Sequence, residues 1–253
     1  MGKCLFFIMT IISLVLPNAL YADELSVSFG GMLISRPEYE GAEESDLDLF
    51  PHFDISLGKI FFFNAQNGLG FYLVNEKYFK FGGSLGYYES RDEEDSDKLR
   101  GFGDVDAGID GRLFGTLILG KYFLSFKLRK DLSENHDGTL IDLGMGYRLV
   151  KDEWIQWNLE LNATHADENY MKTYFGVSTL QASQSGLNSF VAQGGFKNIA
   201  IRTDFKGEFF WDWSFMVQAE YKRLLEDAAN SPLVKDVGSE NQFQIGVGLV
   251  YHF

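Results

Sequence analysis

The last thirteen residues, Asn241 to Phe253, read NQFQIGVGLVYHF and alternate almost without a fault. Phe243, Ile245, Val247, Leu249, Tyr251 and Phe253 point one way, and Gln242, Gln244, Gly246, Gly248 and His252 the other, because successive side chains of a strand leave opposite faces. An apolar face backed by a small and polar one suits a strand between lipid and a watery lumen. Hydrocarbon offers no partner to an open sheet edge, so such a strand must belong to a closed barrel whose period of two recurs along the chain.

The same ending carries a second message. Gln244, Gly246, Leu249, Tyr251 and Phe253 form a polar-x-Gly-x-x-apolar-x-aromatic run. It resembles the sorting signal of bacterial outer-membrane barrels, and these residues are read as the assembly signal. The other terminus agrees: Lys3, an apolar stretch from Leu5 to Leu16, Pro17, and Leu20-Tyr21-Ala22 ahead of Asp23 and Glu24. This is a secretory signal peptide over residues 1–22, too short for the ~20 apolar residues of a membrane anchor. The single cysteine, Cys4, lies inside it. A mature chain over residues 23–253 therefore has no thiol, which excludes disulfides, thiolate metal sites and cysteine catalysis.

The remaining length suits one domain, and 27 Gly, 16% aromatic residues and only 4 Pro suit many strands in close contact. The formal net charge of -14 becomes -15 once Lys3 is lost, which argues against nucleic acid as a partner and against steering of anionic solutes. Alternating segments run near 25–34, 46–57, 60–66, 69–75, 79–89, 101–113, 117–130, 138–149, 154–165, 199–208, 213–224 and 241–253. Most have the ~9 to 11 residues that cross a bilayer as a tilted strand. The expected fold is an all-β transmembrane antiparallel barrel of about twelve strands. Tight turns at 58–59, 75–78, 114–116, 150–153 and 209–212 belong on the periplasmic side. The long connections 35–45, 90–99, 166–198 and 225–240 belong outside, with Asn67-Gly68 as a tight outer exception.

Parity separates two chemistries. Odd positions such as Val105, Ile109, Leu113, Leu143, Met145, Trp157 and Leu161 should face lipid. The lumen is expected to hold a charge network of Asp104, Asp106, Asp110, Lys121, Lys127, Arg129, Asp142, Arg148, Arg202 and Asp204. With a tight turn at 114–116, Asp104 falls opposite Lys127 and Asp110 opposite Lys121, where opposed charges attract. Such a lumen serves either as a mutually neutralising polar plug or as a narrow path in which Asp104, Asp106 and Asp110 favour cations.

Trp154, Trp157, Trp211, Trp213, Tyr87, Tyr251 and Phe253 lie near strand ends, as an interfacial girdle requires. Tyr170, Tyr174 and Phe175 do not fit that explanation, because they lie in a loop. With Gly176, Gln181, Ser185 and Gly186 they form a mouth loop, expected to pack into or across the barrel opening. His52, His136, His165 and His252 show no triad spacing with Ser, Asp or Glu, so no enzyme is expected. The acidic runs Glu43-Glu44 and Asp92 to Asp95 lack calcium-loop spacing and read as solvated loop tips, so no cofactor or metal is expected.

Several ordered motifs carry a resemblance: Arg36-Pro37-Glu38-Tyr39-Glu40-Gly41, Gly101-Phe-Gly-Asp104-Val-Asp106, the run from Asn169 to Gly186, Gly194-Gly195-Phe196-Lys197, and Tyr221-Lys-Arg223-Leu224-Leu225 onward to Phe243. Together they resemble the MipA/OmpV family over nearly the whole mature chain. The resemblance implies a monomeric barrel in the outer membrane of a Gram-negative bacterium. It also implies the role for which the family is named, a scaffold that binds the lytic transglycosylase MltA and links it to a murein synthase. Family members are tied as well to adhesion and to small-molecule permeation, so a narrow pore or solute-binding channel and an outward-facing adhesin remain as alternatives. Expected partners are outer-membrane lipid and lipopolysaccharide, the barrel-assembly machinery and the two murein enzymes.

Overall fold

The computed structural model describes residues 25–152, 154–209 and 211–253; the leader expected over residues 1–22 and Cys4 lie outside them. Twelve antiparallel strands follow one another: β1 (Leu25–Pro37), β2 (Ser45–Leu57), β3 (Phe61–Asn64), β4 (Gly68–Asn75), β5 (Phe79–Tyr88), β6 (Gly108–Leu119), β7 (Tyr122–Asp131), β8 (Thr139–Lys151), β9 (Ile155–Ala166), β10 (Gly195–Glu208), β11 (Trp213–Leu224) and β12 (Asn241–His252). Each strand pairs with its neighbours in sequence, and β1 pairs with β12 to close the barrel. Closure pairs the strands within the protein, as hydrocarbon demands, except beside the short β3, where β2 is paired only from Asp54 to Leu57. The seam runs from Ser28↔His252 to Ser35↔Ile245, and the Phe253 N–H donates to the Val27 carbonyl at 2.9 Å. A Cβ on Gly30 would lie 2.0 Å from the Leu249 carbonyl oxygen, so the seam closes only around a bare backbone there.

The alternation in the sequence becomes two surfaces. Leu49, Leu69, Leu143, Met145, Phe243 and Leu249 are exposed on the outer face, whereas Met32, Phe62, Phe114, Ile118 and Val250 are buried inside. Each outward side chain removed from water by lipid contributes at ~25 cal/mol per Å², which makes the outer belt the source of membrane affinity. The short turns cluster at the end that also holds the chain terminus, the periplasmic end by the usual rule.

At the other end the long connections fold into a cap of four short helices: α1 (Glu168–Phe175), α2 (Thr179–Ser185), α3 (Glu226–Asn230) and α4 (Pro232–Lys235). Asp167 and Ser178 cap α1 and α2 by accepting the Tyr170 and Gln181 N–H groups. Met171 and Phe175 of α1 pack with Leu140, Ala166 and Leu224 at the outer ends of β8, β9 and β11 and with Ala192, Ala228 and Val234, a small core that joins the cap to the strand ends. Tyr39, Leu99, Phe102, Val177 and Leu233 form a second one.

One hairpin differs from its expected position. The β6–β7 turn falls at Gly120-Lys121, between Leu119 and its partner Tyr122, and not at 114–116. Gly120 takes a positive φ of 65°, as the first central residue of a two-residue hairpin often must. Gly115 instead continues the strand, opposite Phe126. Consequently β6 starts at Gly108, and Asp104 and Asp106 precede it in an outer loop. Val105 is buried there in a bridge with Arg91 and does not face lipid. The wall is also uneven in height. β2 pairs with β1 from Ser45 to Leu57 but with β3 only from Asp54 to Leu57.

A charged cavity beneath a helical cap

The inward residues and the underside of the cap enclose a cavity of about 1120 Å³. Arg36, Asp48, Arg112, Lys127, Arg129, Asp142, Glu160, Arg202, Glu220 and Lys222 reach it from the strands, and Glu40, Arg91, Tyr170 and Tyr174 from the connections. Beneath it, on the periplasmic side, the rings of Phe62, Tyr72 and Phe114 pack at 5.0 to 5.8 Å centroid separations.

Most charges are paired. Arg129 holds Asp142 with two bonds of 3.1 Å, and the Thr164 hydroxyl donates to the same carboxylate at 2.8 Å. Arg112 bonds Asp110 at 2.6 Å and reaches the carbonyls of Gln66 and Tyr87. Arg202 binds Asp204 at 2.8 Å, and the Ser125 hydroxyl donates to Glu160 at 2.5 Å. Of these ion pairs Arg112–Asp110 is buried, and a buried pair stabilises little in net terms but is costly to break, because the remaining partner is stranded.

Glu226 of α3 accepts the Phe196 N–H of β10 at 2.9 Å, and a second, more buried carboxylate also ties the cap to the barrel. Glu40, from the β1–β2 connection, accepts Lys197 Nζ at 2.6 Å and the Tyr170 hydroxyl at 3.1 Å, with Lys222 Nζ at 3.7 Å. Burial alone would raise its pKa, but the charges of Lys197 and Lys222 and the bonds from Lys197 and Tyr170 outweigh that and hold it at about 2. Burial first, and then the Glu40 charge, push the Tyr170 phenol well above its ordinary value. Arg91 donates to the Thr173 and Tyr174 carbonyls at the end of α1 and lies 5.7 Å from the Tyr174 ring centroid.

The residues expected in the lumen are divided by this geometry. Lys127, Arg129, Asp142 and Arg202 line the cavity, and Asp110 and Asp204 bond arginines that do. Arg148 is near the inner end of β8, in no ion pair with a described residue. Lys121 is in the exposed periplasmic turn, and Asp104 accepts the Glu93 N–H at 2.8 Å in the outer loop. Neither pairing expected from sequence exists: Lys127 lies opposite Phe114, and Asp110 opposite Asp131. The expected acidic trio is therefore dispersed.

In the mouth loop, Tyr170 and Tyr174 line the cavity, Phe175 and Gly176 end α1, and Gln181 bonds the Phe102 carbonyl at 2.7 Å. Ser185 and Gly186 terminate α2. The acidic tips bond their own backbone, with Asp95 accepting the Asp92 N–H and Glu93 the Gly103 N–H. The described residues contain no cluster of metal ligands. Sequence spacing did not reveal the 2.8 Å contact of Ser214 Oγ with His252 Nε2, which joins β11 to β12 near the inner end. Ser214 is fully buried, so the pair fastens two strands and offers no accessible nucleophile.

A closed antiparallel barrel of twelve strands, apolar outside and charged within, defines an outer-membrane β-barrel of the Gram-negative type. The profile described as MltA-interacting protein MipA matches residues 29–253, and the chain belongs to that family. The MltA-interacting protein of Escherichia coli (strain K12) is 25% identical over 223 residues, covering 83% of this chain and 84% of that protein. The same figures hold for the protein of that name from Shigella flexneri. Among solved structures, a NanC porin superposes with a TM-score of 0.43 at 6% identity, covering 90% of this chain and 98% of that one. The monoaromatic hydrocarbon channel CymD gives 0.42 at 10% identity, covering 95% and 92%.

Proposed function

We propose that this protein is a non-enzymatic scaffold of the outer membrane that binds a lytic transglycosylase and links it to a murein synthase. The observation that carries this reading is the family match over residues 29–253 together with relatives named for interaction with MltA. A partner of standard size needs ~800 Å² from each side. Only the periplasmic rim faces the murein enzymes, and its turns present exposed Lys59, Lys77, Lys121 and Lys151 beside exposed Trp154 and Trp211. Aromatic rings are enriched at protein interfaces, and charges such as these lysines belong to the polar rim around them. Binding of the purified barrel to the lytic transglycosylase tests the scaffold. Saturable binding, lost when the four lysines are changed to glutamate, is expected. No binding up to about 0.1 mM, a free energy weaker than about −5.5 kcal/mol, overturns it.

The cavity supports a second reading, a narrow path or binding chamber for small polar solutes. Planar-bilayer recording tests it. Conductance steps that grow when residues 170–186 are replaced by a short Gly-Ser linker support a path under the cap. Silence from both proteins leaves the scaffold alone.

A further inference from the structure

We propose that the cavity receives the anionic head group of an outer-leaflet amphiphile through a side gap between β2 and β5, with Lys127 as its charge partner. The proposal deepens the second reading above. β3 has only four residues, and the β3–β4 hairpin turns back at Ala65–Asn67. β2 has strand partners on its β3 side only from Asp54 to Leu57, and β5 on its β4 side only as far as Leu85. Above the hairpin, residues 45–53 and 86–88 therefore flank a stretch of wall with no strand between them. The four residues of β3 advance ~13 Å along the strand and the eight of β4 ~27 Å, or ~20 Å once tilted by ~40°, whereas the apolar band of a barrel is ~25 Å tall. The gap thus begins within the outer leaflet and not above it.

Its two sides differ chemically. On the lipid side, Leu47, Leu49 and Leu69 are 65%, 76% and 60% exposed, an apolar lip. On the inner side, Asp48, Gln66, Asn67 and Glu89 line the cavity, so the gap and the chamber are continuous. Arg36 spans the upper part by bonding Asp48 at 2.8 Å and Glu89 at 2.5 Å.

Lys127 stands at the sill, donating to Asn67 Oδ1 at 3.0 Å. It is in no ion pair with a described residue, whereas Arg36, Arg112, Arg129, Lys197, Arg202 and Lys222 all meet carboxylates. Its partner across the β7–β8 pair, Asp142, is held by Arg129, so the ammonium has no carboxylate to itself, and a phosphate or carboxylate head supplies one. The amphiphile is favoured over a free anion by the surroundings. Entry from above passes the Glu40 carboxylate and the Tyr170 and Tyr174 rings that line the cavity, while the gap opens beside the exposed leucines of the lipid face.

The test uses the whole barrel in a neutral maltoside detergent, with n-dodecyl phosphate and laurate as probes and inorganic phosphate and dodecanol as comparators. Calorimetry should give at least tenfold tighter binding of both charged amphiphiles than of either comparator. Lys127→Met should lose at least tenfold and Lys127→Arg should keep most of the affinity, with heat-modifiability on gels reporting that each variant is folded. Cross-linking Asp48→Cys to Glu89→Cys with a short bismaleimide should slow uptake at least tenfold relative to the same variant left unlinked. Inorganic phosphate binding as tightly as dodecyl phosphate, or uptake unchanged by the cross-link, overturns the side route. Binding of neutral sugars without any amphiphile binding overturns this proposal and leaves the solute reading, while binding of no solute of any kind overturns both.

Discussion

Changing Glu40→Gln removes one charge from the centre of the latch and leaves its shape nearly intact. The Glu40 carboxyl stands at about 2 against an ordinary value of 4.5. At 1.36 kcal/mol per pKa unit, that difference corresponds to about 3 kcal/mol of stabilisation of the closed cap over a detached one. A group held below its ordinary value stabilises the closed state fully above pH 4.5, and the effect is lost as pH falls from 4.5 to about 2. Because ~1.4 kcal/mol is tenfold, hydrogen exchange of α1 should quicken by about two orders of magnitude in Glu40→Gln at pH 7, with the barrel strands unchanged. Wild-type α1 should stay protected at pH 3.5, where an ordinary glutamate is already mostly protonated. Protection in the variant within threefold of wild type, or a wild-type cap that opens with a midpoint near pH 4.5, would refute the latch. A cycle with Lys197→Met should recover part of the loss, since the stranded ammonium is then gone.

Deleting Phe253, or changing Tyr251→Asp, should sharply reduce outer-membrane levels, because Phe253 bonds Val27 across the seam and Tyr251 lies opposite Phe29; normal levels of both variants would refute the seam's role in assembly. Gly30→Val should prevent closure outright, read as loss of the heat-modifiable band, while Gly103→Ala, where a Cβ meets nothing within 4 Å but φ is +74°, should cost only about 1 kcal/mol. Asp104→Ala should leave barrel stability and conductance within error and combine additively with Lys127→Ala; a coupling above about 0.5 kcal/mol would restore their contact. The purified protein should be almost entirely β by circular dichroism, and more than a quarter helix would contradict the ladder.

The strands were readable because a wall between lipid and lumen imposes a period of two that local sequence cannot hide, and Asn241 to Phe253 displays it in full. The β6–β7 hairpin shows how that signal reaches its limit. Moving the turn from 114–116 to Gly120-Lys121 keeps the parity of β7, so Lys127 and Arg129 still point inward while the partner of Lys127 becomes Phe114 and not Asp104. Alternation fixes a face but not a register, and a glycine such as Gly115 signals a turn no more strongly than Gly120 does. The latch was unreadable for a different reason. Glu40 and Lys197 are 157 positions apart, and nothing local marks either as the other's partner. The side gap depends on strand lengths on either side of a short hairpin, where sequence boundaries are least sharp.

The seam between β1 and β12 also sets an order of events. Its partners are among the first and last residues of the barrel, Ser28 with His252 and Phe29 with Tyr251. Until β12 is available, β1 has no mate on one edge, so the barrel stays open, with the lipid-seeking faces of the eleven earlier strands still in water. Loop-closure entropy for so long a separation is modest, yet non-local pairing is slow. The hazard is therefore kinetic: the cell must keep an aggregation-prone ribbon soluble until it meets the membrane, and any extension that delays the arrival of β12 lengthens that exposure.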